Sequence, residues 1–258
     1  MPGFSRQRRS VLLVAAIIVL LTGGTGIVFA VRQPSSPAAA NPVESTFRIV
    51  PAAVAAIPLT DQNGQATDLA AFHGRVVIFA DFLTSCQEVC PITTGALSVV
   101  YQSLSKANLL NRVSIVEVTV DPSRDTPSRL LAYQNMVNVH WSMMTGSAVD
   151  LSRLWSFFGV QYGQVAEGNP PGIDWQTGQP YAYDVDHSDD AFVLGPTGNE
   201  RALSGAIANV GGVLPKGLAS MLDSQGVQNL KDPGFASWTP SDMLQAVSAV
   251  LGRNIPLA

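Results

Sequence analysis

The chain has 258 residues, of which 47% are hydrophobic and 13% are charged, and its formal net charge is −4. This length is enough for one well-packed domain with additional segments. An acidic balance without a clustered basic face excludes nucleic acid as a partner. The two cysteines are too few for a disulfide scaffold, so the fold must depend on its core.

Residues 11–31 form an uncharged, apolar stretch that directly follows an arginine-containing basic segment, residues 1–10. About 20 apolar residues can cross a bilayer, and arginines before them predict a cytoplasmic N-terminus with the remainder exported. The length favours an uncleaved single-pass anchor in the cell membrane. A small-residue sequence at 28–30 leaves a removable signal peptide open. In either case the soluble domain is expected on the extracytoplasmic side.

Residues 32–46 contain three prolines and three consecutive alanines, and we predict a flexible linker there. The folded domain is therefore expected over residues 47–258. The pair Asn63-Gly64 stands between two short extended segments and predicts a hairpin. Residues 76–82 are apolar at nearly every position, which is typical of a strand covered on both faces.

Strand and helix patterns alternate after this first strong strand. Apolar spacing, N-capping residues and proline positions give the boundaries of each element. The predicted elements are a helix over 91–107, a strand over 113–120, a helix over 127–137, a strand over 141–145 and a helix over 148–158. This alternation predicts an α/β fold in which crossover helices join parallel strands.

Residues 161–186 are rich in glycine and proline and predict a long loop or an irregular hairpin. Such a long loop inside a compact domain is more often functional than not. Strands over 191–194 and 199–203 and a last helix over 241–251 complete the predicted fold. Residues 205–238 are predicted to be an insertion before that helix, and the sequence assigns it no function.

Both cysteines of the chain, Cys86 and Cys90, follow the predicted strand over 76–82 and precede a helix. A helix N-terminus favours a thiolate, so these sulfurs can take part in chemistry. A two-residue spacing would be typical of dithiol redox proteins, whereas three intervening residues leave room for an ion between the sulfurs. Thiolates favour Cu(I) and also accept zinc. The spacing alone leaves open a metal site, a redox pair and a structural disulfide or thiol pair.

A metal site with two sulfurs needs a third ligand, and the chain contains three histidines. His73 precedes a predicted turn and His140 lies just past the C-terminal end of the predicted helix over 127–137, and we interpret both as structural. His187 lies between the long loop and a strand, among acidic residues that could orient its imidazole. Its position alone leaves a ligand role open.

Three segments of the chain resemble the signature segments of the Sco/SenC family of copper chaperones, in the same order. They are residues 84–91 (TSCQEVCP), residues 121–126 (DPSRDT) and residues 186–188 (DHS). The resemblance extends over roughly residues 57–204 and the final helix. It implies a thioredoxin-like fold with a central mixed sheet flanked by helices, preceded by an N-terminal membrane anchor. It also implies that Cys86, Cys90 and His187 bind one copper ion, as Cu(I), Cu(II) or both.

The resemblance further implies a copper chaperone that assists assembly of the binuclear copper centre of cytochrome c oxidase, by delivering copper, by reducing target cysteines, or by both. Its partner would be the copper-bearing subunit of the oxidase or another copper-site apoprotein, and it would be a binding protein rather than an enzyme. The alternative is a membrane-tethered thiol-disulfide oxidoreductase that uses Cys86 and Cys90 to reduce cysteines of such a target. A peroxiredoxin-like peroxidase is disfavoured, because the Pro-x-x-x-Thr-x-x-Cys sequence of that chemistry is absent around Cys86.

Two positions beside the cysteines depart from the family pattern. Gln87 stands where the family commonly has proline, and Ser85 stands where a histidine is frequent. Neither position supplies a required ligand, so the departures predict altered loop stiffness and reduction potential rather than lost binding. We interpret Asp121 and Asp125 as loop and turn formers near the site, and Trp175 as a residue that covers the core or docks a partner.

Overall fold

The computed structural model describes residues 42–234 and 236–258. The predicted basic segment, the anchor and most of the linker lie outside these residues, and no helix within them is long and apolar enough to cross a membrane. The strands are β1 (Glu44–Arg48), β2 (Leu59–Asp61), β3 (Ala66–Thr67), β4 (Val76–Phe82), β5 (Val113–Thr119), β6 (Ser142–Thr145), β7 (Tyr162–Val165), β8 (Asp184–His187), β9 (Ala191–Leu194) and β10 (Glu200–Ser204). The helices are α1 (Ala52–Ala55), α2 (Cys90–Lys106), α3 (Pro127–Val137), α4 (Ala148–Phe158), α5 (Lys216–Ala219), α6 (Ser224–Lys231) and α7 (Pro240–Leu251), with a short 3-10 turn at Ala70–Phe72.

Eight strands form one mixed sheet in the order β1-β10-β9-β4-β5-β6-β2-β3, and β7 pairs with β8 in a separate antiparallel ribbon. Strands β4, β5 and β6 run parallel, as the alternation of strand and helix predicts, and α2 and α3 connect them. Strand β9 pairs antiparallel with β4. The β4-α2-β5 unit, the β9-β10 hairpin and helix α7 together form a thioredoxin-like arrangement, so the predicted mixed α/β sheet is confirmed.

The two central strands are buried at every position, because layers of helix cover both faces of the sheet. On one face Phe79 stacks on Trp155 at 5.0 Å between ring centroids and meets the edge of Phe158. Each large apolar side chain buried in this way contributes roughly 1.5–3 kcal/mol. The loop that carries Cys86 therefore emerges from a strand that is buried along its whole length.

The predicted starts of helices α3 and α4 are confirmed by hydrogen bonds to their N-cap side chains. The Thr126 side chain accepts a hydrogen bond from the backbone of Arg129, and Pro127 follows it as the first helical residue. The Ser147 side chain accepts from the backbone of Asp150. Helix α4 ends at Gly159, whose φ of 86° lies in the left-handed region that glycine adopts without strain.

The domain begins earlier than the sequence predicts. Strand β1 starts at Glu44, inside the predicted linker, and pairs antiparallel with β10. Within it, Thr46 and Arg48 both hydrogen-bond to the buried carboxylate of Glu200. The linker prediction is therefore wrong for residues 44–46, because a partner strand far along the chain orders this proline-flanked segment.

Candidate metal centre

The two cysteines lie at the point where β4 gives way to α2. Cys86 is in the connecting loop and Cys90 is the first residue of the helix, and they are 7% and 1% exposed. The backbone N–H of Cys90 donates to Cys86 Sγ at 3.3 Å. Both thiols are free, so the short-range disulfide is not formed in this structure.

His187, the last residue of β8, completes a cluster with the two cysteines. Its Nε2 atom lies 3.4 Å from Cys90 Sγ, and the ligand atoms of Cys86, Cys90 and His187 all lie within 4.8 Å of one another. The other two histidines are elsewhere. His73 lies against Gly198, and the ring of His140 lies 6.2 Å from that of Tyr101.

Asp81, in the buried strand β4, orients the imidazole of His187. His187 Nδ1 lies 2.7 Å from Asp81 Oδ2 and 2.6 Å from the Ser188 carbonyl oxygen, while Asp81 Oδ1 accepts from the backbone of Asp190 at 2.7 Å. Two acceptors facing Nδ1 keep the proton there and leave the Nε2 lone pair for a metal. The sequence predicts an acidic neighbour of His187 in this role. The structure supplies Asp81 instead, whose only sequence signal is a charge inside an apolar strand.

Charge is distributed unevenly over the metal-free cluster. A hydrogen bond from Cys90 holds the pKa of Cys86 well below its ordinary value, despite burial, and His187 adds to this effect. Burial raises the pKa of Cys90 well above its ordinary value. Burial also opposes charge on His187, but its hydrogen bonds to Asp81 and Cys86 prevail and raise its pKa well above the usual range. The cluster therefore favours one thiolate beside one imidazolium.

The base of the cysteine loop is fixed through Thr84. The Asp125 carboxylate accepts hydrogen bonds from the backbone N–H of Thr84 at 3.1 Å and from its hydroxyl. Burial raises the pKa of Asp125 to about 6. Asp121 accepts from the hydroxyl of Tyr183 at 3.0 Å. The second signature segment thus forms a turn, as predicted, and in addition holds the loop that carries Cys86.

Part of the long loop, residues 172–183, packs on the same base, and we call it the strap. Trp175 Nε1 donates to the Thr84 carbonyl at 2.8 Å. Arg129 donates to the Thr84 hydroxyl at 2.7 Å and to Asp174 at 2.9 Å. The sequence did not reveal Arg129, although its position shares the buried face of α3 with Leu130.

The turn between β8 and β9 is tied to the helix that carries Cys90. The Thr93 hydroxyl, on α2, lies 3.0 Å from both carboxylate oxygens of Asp189. Burial and the nearby Asp81 raise the pKa of Asp189 to about 8. His187 is therefore fixed relative to the cysteines by one link to β4 and another to α2.

The donor set of this cluster suits a soft metal ion. Two sulfurs and one imidazole nitrogen are the ligands that Cu(I) favours and that zinc also accepts. Within the described part of the chain, these three residues are the one group of His, Cys, Asp or Glu side chains arranged for a metal. Their neighbours Asp81 and Asp189 are engaged in hydrogen bonds.

Comparisons with known proteins find proteins named Sco among both the sequence relatives and the solved structures. The chain is 26% identical over 187 residues to the SCO2-like protein of Rickettsia prowazekii, which covers 70% of this chain and 84% of that protein. It is 29% identical over 140 residues to the mitochondrial protein SCO2 homolog of Homo sapiens, covering 54% of this chain and 49% of that protein. Among solved structures, ScoI of Arabidopsis thaliana with copper bound is 21% identical, with a TM-score of 0.49, over 68% of this chain and 91% of that one.

The family model described as SCO1/SenC matches residues 51–210. This match contains the cysteine loop, the second signature segment and His187, and it spans well over half of the chain. The chain belongs to the SCO1/SenC family.

Proposed function

We propose that this protein is a copper chaperone that binds one copper ion through Cys86, Cys90 and His187. The observation that carries the proposal is the convergence of three soft-metal ligand atoms within 4.8 Å, from segments up to 101 positions apart, in a member of the SCO1/SenC family. We further propose that the protein assists assembly of the binuclear copper centre of cytochrome c oxidase, with the copper-bearing oxidase subunit or a similar apoprotein as recipient.

The chemistry of the cluster supports copper as cargo. Cys86 already favours the thiolate, so an arriving Cu(I) ion displaces protons from Cys90 and His187. The Nδ1 contacts of His187 direct Nε2 toward the sulfurs. Burial of both thiols keeps water and oxidants from the ion, which favours Cu(I) over Cu(II).

The setting that we propose is the outer side of the cytoplasmic membrane. Residues 11–31 would anchor the chain and residues 32–43 would tether the domain, which extends to residue 258. The apolar stretch behind a basic segment supports this arrangement. A tethered domain works at high local concentration toward a membrane-bound recipient.

The test is an anaerobic Cu(I) titration of the reduced domain against a competing chelator. The wild type is expected to take up one equivalent, and Cys86→Ala, Cys90→Ala and His187→Ala are each expected to weaken binding by tenfold or more. His140→Ala, which removes a histidine far from the cluster, is the matched control. Full Cu(I) affinity after replacement of both cysteines would refute the proposal.

A second candidate, a thiol-disulfide oxidoreductase, is favoured by the lowered pKa of Cys86. The Cys86 thiolate would attack a target disulfide and release one target thiol. Cys90 would then attack the mixed disulfide and release the second thiol, leaving the Cys86–Cys90 pair oxidised. Unchanged reduction of a target peptide by His187→Ala would favour this function over the chaperone.

A further inference from the structure

The predicted insertion contains a segment that packs against the helices around the metal cluster. We call residues 214–231, which include α5 and α6, the cap. Leu218 is fully buried, and it lies with Leu214 against Gly95 of α2. On the other side, a methyl group at Gly217 would lie 2.9 Å from the Met136 carbonyl oxygen of α3. The cap is thus fitted closely to the domain, at one glycine that accommodates leucine side chains and another that approaches a backbone carbonyl.

The cap also contacts the residues between the two cysteines. The backbone N–H of Asp223 donates to the Gln87 carbonyl at 3.0 Å. A methyl group on Gly226 would overlap that same carbonyl oxygen and lie 3.1 Å from the Glu88 Cα atom. Asn229 Nδ2 lies 3.5 Å from the Glu88 carbonyl oxygen. Asp223, which precedes α6 as its N-cap, and two positions within the helix therefore face the cysteine loop.

Gly226 is buried within a helix of eight residues, where glycine is a poor helix former. Its use there is explained by the approach to Gln87, which leaves no room for a side chain. Asp223 serves two purposes, because its side chain also accepts from the Gly226 backbone at 2.7 Å and so starts α6 at this place. The start of the helix and the position of the loop are set by the same residue.

The opposite side of the loop is closed by the strap. The Gln87 side chain lies against Gly172, and Tyr181 lies beside the same glycine. The cap contacts the cysteine loop at Gln87 and Glu88 and the strap contacts it at Gln87, between two cysteine residues that are 7% and 1% exposed. Movement of the cap away from Gln87 and Glu88 would uncover the backbone between the two buried cysteines.

We propose that the cap controls access to Cys86 and Cys90, and that the contact of α6 with Gln87 sets the rate at which copper leaves; the latter part rests on the proposed copper function. In transfer, an acceptor thiolate forms a new copper–sulfur bond as a bond to Cys86 or Cys90 breaks, and the oxidation state is unchanged. A closely held cap slows this exchange because the acceptor must approach the ion.

The experiment compares Gly226→Ala with Ser224→Ala, an exposed position in the same helix. Two rates are measured: alkylation of the thiols in the reduced, metal-free protein, and transfer of Cu(I) from the loaded protein to a chelator. Gly226→Ala is expected to accelerate both by about tenfold or more, since the added methyl group holds α6 away from the loop. Ser224→Ala is expected to match the wild type.

A second pair of variants covers the case in which Gly226→Ala does not fold. Asp223→Ala keeps the N–H that donates to Gln87, and Asp223→Pro removes it, while both lose the side-chain cap. The proline variant is expected to react faster than the alanine variant. Unchanged alkylation in folded Gly226→Ala, or equal rates in the Asp223 pair, would overturn the cap proposal. Absence of copper binding in the wild type would instead overturn the proposed function, and alkylation would still decide the role of the cap.

Discussion

Replacing Asp81 by asparagine tests whether the buried carboxylate prepares His187 to bind metal. Asp81 uses one oxygen to face His187 Nδ1 at 2.7 Å and the other to accept from the Asp190 backbone at 2.7 Å. An asparagine offers one acceptor and one donor in the same space. One of the two hydrogen bonds is then lost, because the amide NH₂ of the asparagine must face either His187 Nδ1–H or the Asp190 N–H, and both of these groups are donors.

The size of the effect follows from these two contacts. A hydrogen bond that involves a charged group contributes about 1.5–3 kcal/mol, so the metal-free protein is expected to lose about that much stability. The Ser188 carbonyl at 2.6 Å still holds the Nδ1 proton, so the imidazole keeps part of its orientation. Loss of the negative charge behind the ligand is expected to weaken Cu(I) binding by about 10- to 100-fold.

The assay is an anaerobic Cu(I) titration against a chelator, combined with urea unfolding of the metal-free protein. Asp186→Asn is the matched control, because Asp186 is exposed, adjacent to His187 and loses the same charge. If Asp81→Asn binds Cu(I) as tightly as Asp186→Asn does, Asp81 has no role in orienting the ligand and the reasoning is wrong.

Three further changes test the surroundings of the cluster. Burial raises the pKa of Glu117 from 4.5 to about 7. Between these two pH values the folded protein holds a proton that the unfolded chain has released. The free energy of unfolding therefore falls as pH rises through this range, by at most about 1.4 kcal/mol per pH unit. Glu117→Gln is expected to flatten this part of the urea-unfolding profile, and an unchanged slope would contradict the assignment. Asp174→Asn leaves the buried Arg129 without its closest carboxylate and is expected to lower stability by about 1–3 kcal/mol, with copper stoichiometry unchanged; loss of stoichiometry would mean that the strap supplies more than support. Gln87→Pro keeps the carbonyl that Asp223 contacts and restricts the backbone of the cysteine loop, so slower amide hydrogen exchange is expected across this loop. Faster exchange would show that the lost Gln87 side chain stabilises the loop more than the proline does.

Elements whose signals are local were predictable from the sequence. Strand β4 and helix α2 follow from consecutive apolar residues and from spacing of three and four, and the caps at Thr126 and Ser147 need only short-range contacts. The two sulfur ligands were also predictable from a local signal, because two cysteines at a strand–helix junction leave only a metal site, a redox pair or a structural pair. The pairing of these cysteines with His187 came from the family resemblance and not from spacing.

Contacts between distant segments were not predictable in the same way. Asp81 and His187 are 106 positions apart, and they meet because β9 pairs antiparallel with β4 and brings the preceding turn to its end. Sequence patterns show that position 81 is in a strand but not which strand lies beside it. The contact of the Asp223 backbone with Gln87 has no side-chain signal at all.

The arrangement of these links bears on how the proposed cargo would leave. His187 is held from the two elements that flank the cysteine loop, by Asp81 on β4 and through Asp189 by Thr93 on α2. Such a ligand needs little rearrangement on binding, which favours high affinity. The same rigidity makes His187 a poor point of release. The loop around Gln87 is held instead by backbone and packing contacts from two surface segments. On the proposed copper function, an acceptor that displaces the cap would free Cys86 or Cys90, and the histidine would retain the ion until a second bond to the acceptor forms.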